Sequence, residues 1–203
     1  SDWQPYVWSI NNVAFAEIAH TALAYWQSGR SDEAYKLFKG ALLDAMYLGS
    51  GPGNITQVSF YDAARGETYR DFADPVACAA RDLVQGLFGI NPDLLNDELI
   101  VQPGFPINWD HALLETLNFY FSFKSKGESD FYSIRPKLKK DANLILKLDA
   151  KKDRIKRILV NGSETGYKVD EYSVGKPVII IEAGKCKDYD IEVVWGGKAP
   201  DLT

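Results

Sequence analysis

The stretch Leu117-Asn-Phe-Tyr-Phe-Ser-Phe-Lys124 alternates large apolar side chains (Leu117, Phe119, Phe121, Phe123) with polar or amphipathic ones (Asn118, Tyr120, Ser122, Lys124). A period of two places every second side chain on the same face, so this stretch predicts a β-strand with one buried side. Further strands are predicted downstream at Phe131 to Ile134, Leu144 to Leu148, Ile155 to Val160 before an Asn161-Gly162 turn, Tyr167 to Tyr172, Val178 to Glu182 and Tyr189 to Trp195. Short strands separated by turn signals predict an antiparallel β-sandwich.

Upstream the period is helical. Phe15, Ile18, Ala19, Ala22, Leu23 and Trp26 recur every three or four residues and predict an amphipathic helix, capped by Asn11 or Asn12 and ended by Gly29. Ser31 is a suitable N-cap for a second helix whose stripe is Ala34, Leu37, Phe38, Ala41, Leu42 and Ala45, and the short link makes the two antiparallel neighbours. A third helix is expected from Asp74 as cap and Pro75 at the first position to a stop near Gly89, with Val76, Ala80, Leu83, Val84 and Leu87 on its apolar face. INPD follows as a turn, and ELIVQPGFP supplies one more strand before the main β region. The expected organisation is therefore α+β: a helical segment over 1–97, then a β-sandwich with its bridging segment over 98–203.

Of the 203 residues, 46% are hydrophobic and 25% charged, which fits a globular chain and excludes disorder or collagen-like repetition. No apolar run approaches the ~18 residues of a membrane span, so no membrane-spanning partner surface is expected. The net charge of −5 is unevenly spread: residues 1–124 hold 7 basic against 15 acidic residues, and 125–203 hold 16 against 13. A nucleic-acid partner is not expected either. The basic stretch from Arg135 to Arg157 alternates with Leu and Ile, lacks aromatic stacking platforms, and reads as solvated strand faces.

Cys78 and Cys186 have no CxxC or Cys/His spacing, so neither a disulfide nor a metal site is expected; Cys78 reads as a small buried hydrophobe. No cofactor fingerprint, serine elbow or HExxH pair is present. His20 lies off its helix's apolar stripe, and His111 suits packing or hydrogen bonding.

Three segments together carry a resemblance: the hairpin AHTALAYWQSGRSDEAYKLF (19–38), the helix-to-turn run DPVACAARDLVQGLFGINPD (74–93) and the bridge ELIVQPGFPINWDHALL (98–114). Their order resembles the C-terminal end of six-hairpin (α/α) toroid glycosidases, the α-L-rhamnosidase-like and glucoamylase-like enzymes. The resemblance implies that the helices are the last ones of such a toroid, with the others before Ser1 or supplied by another subunit. It implies the C-terminal portion of a glycoside hydrolase, contributing one wall of a sugar pocket plus an accessory β-sandwich. Activity would then need the missing N-terminal part, and a periplasmic or extracellular location would follow. A non-catalytic carbohydrate-binding or interaction module is the alternative.

In that family the pocket opens where inner helices begin, which would gather the N-terminal segment, the long loop from Gly49 to Phe72 and the start of the third helix on one rim. Glu67, Asp62 and Asp71 become candidate catalytic carboxylates, since glycoside hydrolysis needs an acid and a base or nucleophile. Trp3, Tyr6, Trp8, Tyr61 and Arg70 become candidate substrate contacts, the aromatic faces stacking on the C–H faces of sugar rings. Trp3 and Trp8 also suit plain packing, and Glu67 a solvated surface. Rhamnosidase-like enzymes carry a catalytic glutamate near the place where this chain reads NITQVSFYD; Ser59, Phe60 and Tyr61 stand there, so either Asp62 or Glu67 replaces it or the base is lost or relocated in this lineage.

Overall fold

The computed structural model describes residues 12–13, 15–48, 58–59 and 73–200. Backbone contacts divide the chain into two units, Ser1–Leu87 and Phe88–Thr203.

In the first unit, β1 (Asn12–Val13) pairs antiparallel with β2 (Val58–Ser59), so Asn12 belongs to a strand pair rather than to a helix cap. Helix α1 (Phe15–Gln27) buries Phe15, Ala19, Ala22, Leu23 and Trp26 of the stripe its spacing predicts and half-buries Ile18. Gly29, at φ +73°, occupies the left-handed conformation that ends the helix and that glycine adopts without steric cost. Helix α2 (Ser31–Leu42) starts at its expected cap, Ser31, so the cap lies one residue earlier: it is Arg30, without a side-chain cap bond. Its guanidinium instead bonds Glu33 at 2.9 Å and lies 4.6 Å from the centre of the Tyr25 ring, clamping the α1–α2 turn from both sides. A π-helical turn (Leu43–Leu48) extends α2.

Helix α3 (Ala73–Arg81) runs into a second π-helical turn, Asp82–Leu87. Asp74 falls inside its first turn, not at the cap. Of its expected stripe Leu87 is buried, but Val76 and Val84 are exposed, and Asp82 and Gly86 are buried instead. Packing against α1 decides the face: Gly86 lies under the Trp26 ring, and Cys78 is half-buried with its Sγ 3.3 Å from His20 Nε2. Val76, Ala80 and Val84 fall on the far side of a helix whose inward positions are 78, 82 and 86. The described residues of this unit hold three helices, and the expected end of an (α/α) toroid is not shown.

The second unit has two sheets. The six-stranded one has the order β10-β9-β13-β7-β6-β5 and the five-stranded one β11-β12-β8-β4-β3. Strands β3 (Ile90–Asp93), β4 (Glu98–Val101) and β5 (His111–Glu115) come first. Then follow β6 (Phe119–Lys126), β7 (Ser129–Pro136), β8 (Asn143–Asp149) and β9 (Arg154–Val160). The last are β10 (Ser163–Glu164), β11 (Lys168–Val169), β12 (Val178–Lys185) and β13 (Tyr189–Gly196).

On β6 the alternation is realised as read, with Phe119, Phe121 and Phe123 buried, while Leu117 lies just outside the strand and is 90% exposed. Two expectations are corrected. INPD is not a turn but the edge strand β3, paired with β4, and Pro92 is tolerated there because an edge has one side without ladder bonds to lose. The unit is also not purely antiparallel: β4 and β8 run parallel, because β5, β6 and β7 of the other sheet lie between them in sequence and allow the chain to return in the same direction. Tyr189, fully buried on β13, ties the sheets together, its hydroxyl lying 3.0 Å from the Ala142 carbonyl and 2.9 Å from the Gly184 carbonyl and accepting the Cys186 N–H at 2.8 Å.

The basic stretch carries matched charges. Arg135 pairs with Asp190, Lys140 with Asp97, Lys147 with Asp170, Lys156 with Glu128 and Arg157 with Glu192. Among the described residues no helix is long and apolar enough to cross a membrane.

Candidate functional site

The catalytic candidates Glu67, Asp62 and Asp71 and the substrate-contact candidates Trp3, Tyr6, Trp8, Tyr61 and Arg70 all lie outside the described residues. The described residues present a different site, a cleft of about 310 Å³ in the second unit. Its walls come from the segment between β4 and β5 (Pro103, Phe105, Pro106, Ile107, Trp109), from β6 and β7 (Phe123, Tyr132), and from the end of β8 onward (Leu148, Asp149, Ala150, Lys151). Lys176, Ala199 and Pro200 complete it.

The cleft rests on a file of nearly parallel rings. Trp109 stacks on Phe105 (centroids 5.7 Å apart, planes 20°), Phe105 on Phe123 (5.4 Å, 23°) and Phe123 on Tyr132 (5.1 Å, 27°). These are offset stacks, which the ring quadrupole favours over a face-to-face sandwich. Phe88 meets Phe105 edge-on at 5.4 Å, fixing the ring from the side. The file runs from half-buried Trp109 and Phe105 to buried Phe123 and Tyr132, so its outer members supply aromatic surface to the cleft while its inner ones belong to the core. The local cause is in the sequence: Pro103 and Pro106 flank Phe105 and stiffen the segment, and the two-residue period of β6 and β7 directs Phe123 and Tyr132 inward.

Polar groups border this surface. Lys151 Nζ lies 5.1 Å from the centre of the Phe123 ring and 2.8 Å from Oδ1 of Asp130, a carboxylate only 1% exposed. Asp130 Oδ2 accepts the Trp195 indole N–H at 2.8 Å, so both oxygens of the buried carboxylate are engaged and the ammonium is held in place. On the same wall, burial pushes the Asp149 carboxyl above its ordinary range, with Lys176, 3.8 Å away, pulling the other way. Burial, and then the charges of Asp130 and Asp149, raise the Tyr132 phenol well above its ordinary value and keep it neutral. The arrangement offers apolar ring faces beside a fixed cation and a carboxyl group. Among the described residues no group of three or more His, Cys, Asp or Glu is placed to hold a metal ion.

Sequence reasoning took Phe105 and Trp109 as part of a bridge and missed their role in this cleft. The available signal was PGFP with Trp109 three residues beyond it. Asp149, Lys151 and Lys176 carry no local signature, since Lys176 reaches Asp149 only through the strand pairing of β8 with β12.

No family model and no curated protein matches the sequence. Among solved structures, the chain is similar to one described as a kojibiose phosphorylase from the human microbiome, at 16% identity and TM-score 0.40 over 83% of this chain. It is also similar to an α-L-rhamnosidase from Dictyoglumus thermophilum, at 15% identity and TM-score 0.37 over 64% of this chain. The chain spans 19% and 15% of the length of those two proteins.

Proposed function

We propose that this chain handles carbohydrate, with the cleft of the second unit as a sugar-binding site. The observation that carries the reading is the stack of Trp109 on Phe105 at the cleft, bordered by Lys151, Asp149 and Lys176. A pyranose has two chemically different surfaces, C–H faces that pack on aromatic rings and a hydroxyl rim that needs donors and acceptors. An aromatic wall with a few charged groups beside it matches both.

At the finer level, the resemblance of the hairpin, the helix-to-turn run and the bridge supports a place at the C-terminal end of a glycoside hydrolase of the six-hairpin class. The cleft is then accessory to a catalytic pocket elsewhere, with Glu67, Asp62 and Asp71 as its acid/base candidates on this chain. Non-catalytic carbohydrate binding needs only the cleft.

Titration of the chain with a panel of neutral oligosaccharides, followed by NMR or calorimetry, tests the reading. Binding that Trp109→Ala weakens at least about tenfold, as expected for lost stacking area, supports it. No saturable binding by a folded chain, or binding indifferent to Trp109, would remove the cleft from consideration. For the hydrolase reading, Glu67→Gln in the longest expressed form of the protein is expected to lower turnover by orders of magnitude, because an amide cannot exchange the proton.

A further inference from the structure

Strand β5 forms one edge of the six-stranded sheet and, among the described residues, pairs with β6 alone. The hydrogen-bond phase shows which of its residues face outward. Thr116 N donates to Phe119 O at 2.8 Å and Ser125 N donates to Asp110 O at 2.7 Å, so residues 110, 112, 114 and 116 bond toward β6. The N–H and C=O groups of His111, Leu113 and Glu115 therefore point to the open side. No proline or register shift interrupts the strand. The other sheet edges are blunted: β10 and β11 have two residues each, and β3 contains Pro92.

The same three outward-bonding residues are exposed, with the His111 side chain 80% and Leu113 63% accessible, while Ala112 is buried and Leu114 half-buried on the inner face. HALLE is self-complementary when set antiparallel to itself. With Leu113 opposite its own copy, His111 faces Glu115, Ala112 faces Leu114, and each outward N–H meets an outward C=O. The inner face then places a large side chain against a small one, and the outer face places imidazole opposite carboxylate on both sides of a Leu–Leu contact. His111 Nδ1 is engaged by Asp110 at 2.6 Å, which leaves Nε2 for the carboxylate. Lys124, directly beside His111 on β6, adds a cation to that corner.

We propose that β5 is a homodimerisation edge: two copies of this chain pair β5 to β5, antiparallel and centred on Leu113, joining their six-stranded sheets across a two-fold axis. Five residues of strand bury less than the ~1,000 Å² of a tight interface, so the dimer is a weak one, populated at roughly 10 µM to 1 mM.

Sedimentation velocity on the full chain over that range is expected to show a reversible monomer–dimer equilibrium. His111→Glu and Glu115→His set like residues opposite each other and should each weaken it about tenfold, and the double swap, which restores Glu opposite His, should return it to within about threefold. Leu113→Pro removes an outward N–H without touching a β5–β6 bond, and should abolish association. Should that variant misfold, cross-linking decides. With Cys78 and Cys186 changed to Ser, Leu113→Cys is expected to form a disulfide-linked dimer on mild oxidation, because paired Cα atoms lie ~5.5 Å apart. Glu115→Cys should not, its two copies being roughly four strand positions, ~14 Å, apart. A chain that stays monomeric throughout, equal cross-linking at 113 and 115, or a double swap no better than the singles would overturn the proposal.

Discussion

The Trp195 indole N–H and the Lys151 ammonium share one buried carboxylate, Asp130, each at 2.8 Å. This joins the core to the cleft, because Trp195 is 2% exposed on β13 while Lys151 borders the aromatic file. Removing the carboxylate would leave a buried N–H without an acceptor and release the lysine. Asp130→Ala is expected to destabilise the second unit by about 2 kcal/mol, the cost of leaving the buried indole N–H unpaired and below the ~3–5 kcal/mol of a fully buried ion pair because Lys151 still reaches water. Lys151→Met should cost less than half of that, and chemical denaturation of the two variants compares them.

Asp82 offers the opposite case. It is 1% exposed, neither carboxyl oxygen has a hydrogen-bond partner among the described residues, and burial raises its pKa to about 7. The folded chain thus holds a proton that the unfolded chain releases near pH 4, so the stability this group contributes is present at low pH and is lost as pH rises through about 7. Between pH 5 and 8 the wild type is expected to lose stability more steeply than Asp82→Asn, which cannot ionise. Parallel slopes in thermal melts across that range would contradict the buried, unpartnered placement.

Gly86 lies where a Cβ would come within 2.7 Å of three carbon atoms of the Trp26 ring. Alanine ordinarily favours a helix by roughly 1 kcal/mol over glycine. Here the gain is outweighed, because Trp26 is buried and also packs edge-on against Phe38 at 5.7 Å, which resists its displacement. Gly86→Ala is expected to destabilise the helical unit by about 1–3 kcal/mol, whereas Gly40→Ala on α2, with open space around the new methyl, should be neutral or stabilising. Helical circular dichroism against urea distinguishes the two.

Tyr189→Phe keeps the buried ring but deletes the hydroxyl set among the Ala142 and Gly184 carbonyls and the Cys186 N–H. The expected loss is about 1–3 kcal/mol in unfolding free energy, the penalty for leaving interior backbone groups unpaired. Faster amide exchange at Cys186 should accompany it.

Local pattern carried far in this chain. The alternation around Phe119, Phe121 and Phe123 and the stripe from Phe15 to Trp26 are read correctly from spacing, because periodicity reports which side of an element is apolar and that side meets the core. The turn at Asn161-Gly162 is equally legible, since both residues adopt positive φ and few residue types do so cheaply. The same spacing misplaced the inward face of α3, where two apolar choices competed and Trp26, more than 50 residues away, selected the one containing Gly86.

What only the tertiary structure decided is long-range. INPD became a strand because β4 lay beside it, and β4 runs parallel to β8 because three strands of the other sheet intervene. The cleft gathers Phe105, Phe123, Asp149 and Lys176 from four separate stretches, and no spacing rule links them. The carboxylates that the sequence singles out, Glu67, Asp62 and Asp71, lie outside the described residues. Alternation along one segment encodes its apolar face, whereas partner, direction and the meeting of distant side chains depend on the packing free energy of the whole unit, which no single segment contains.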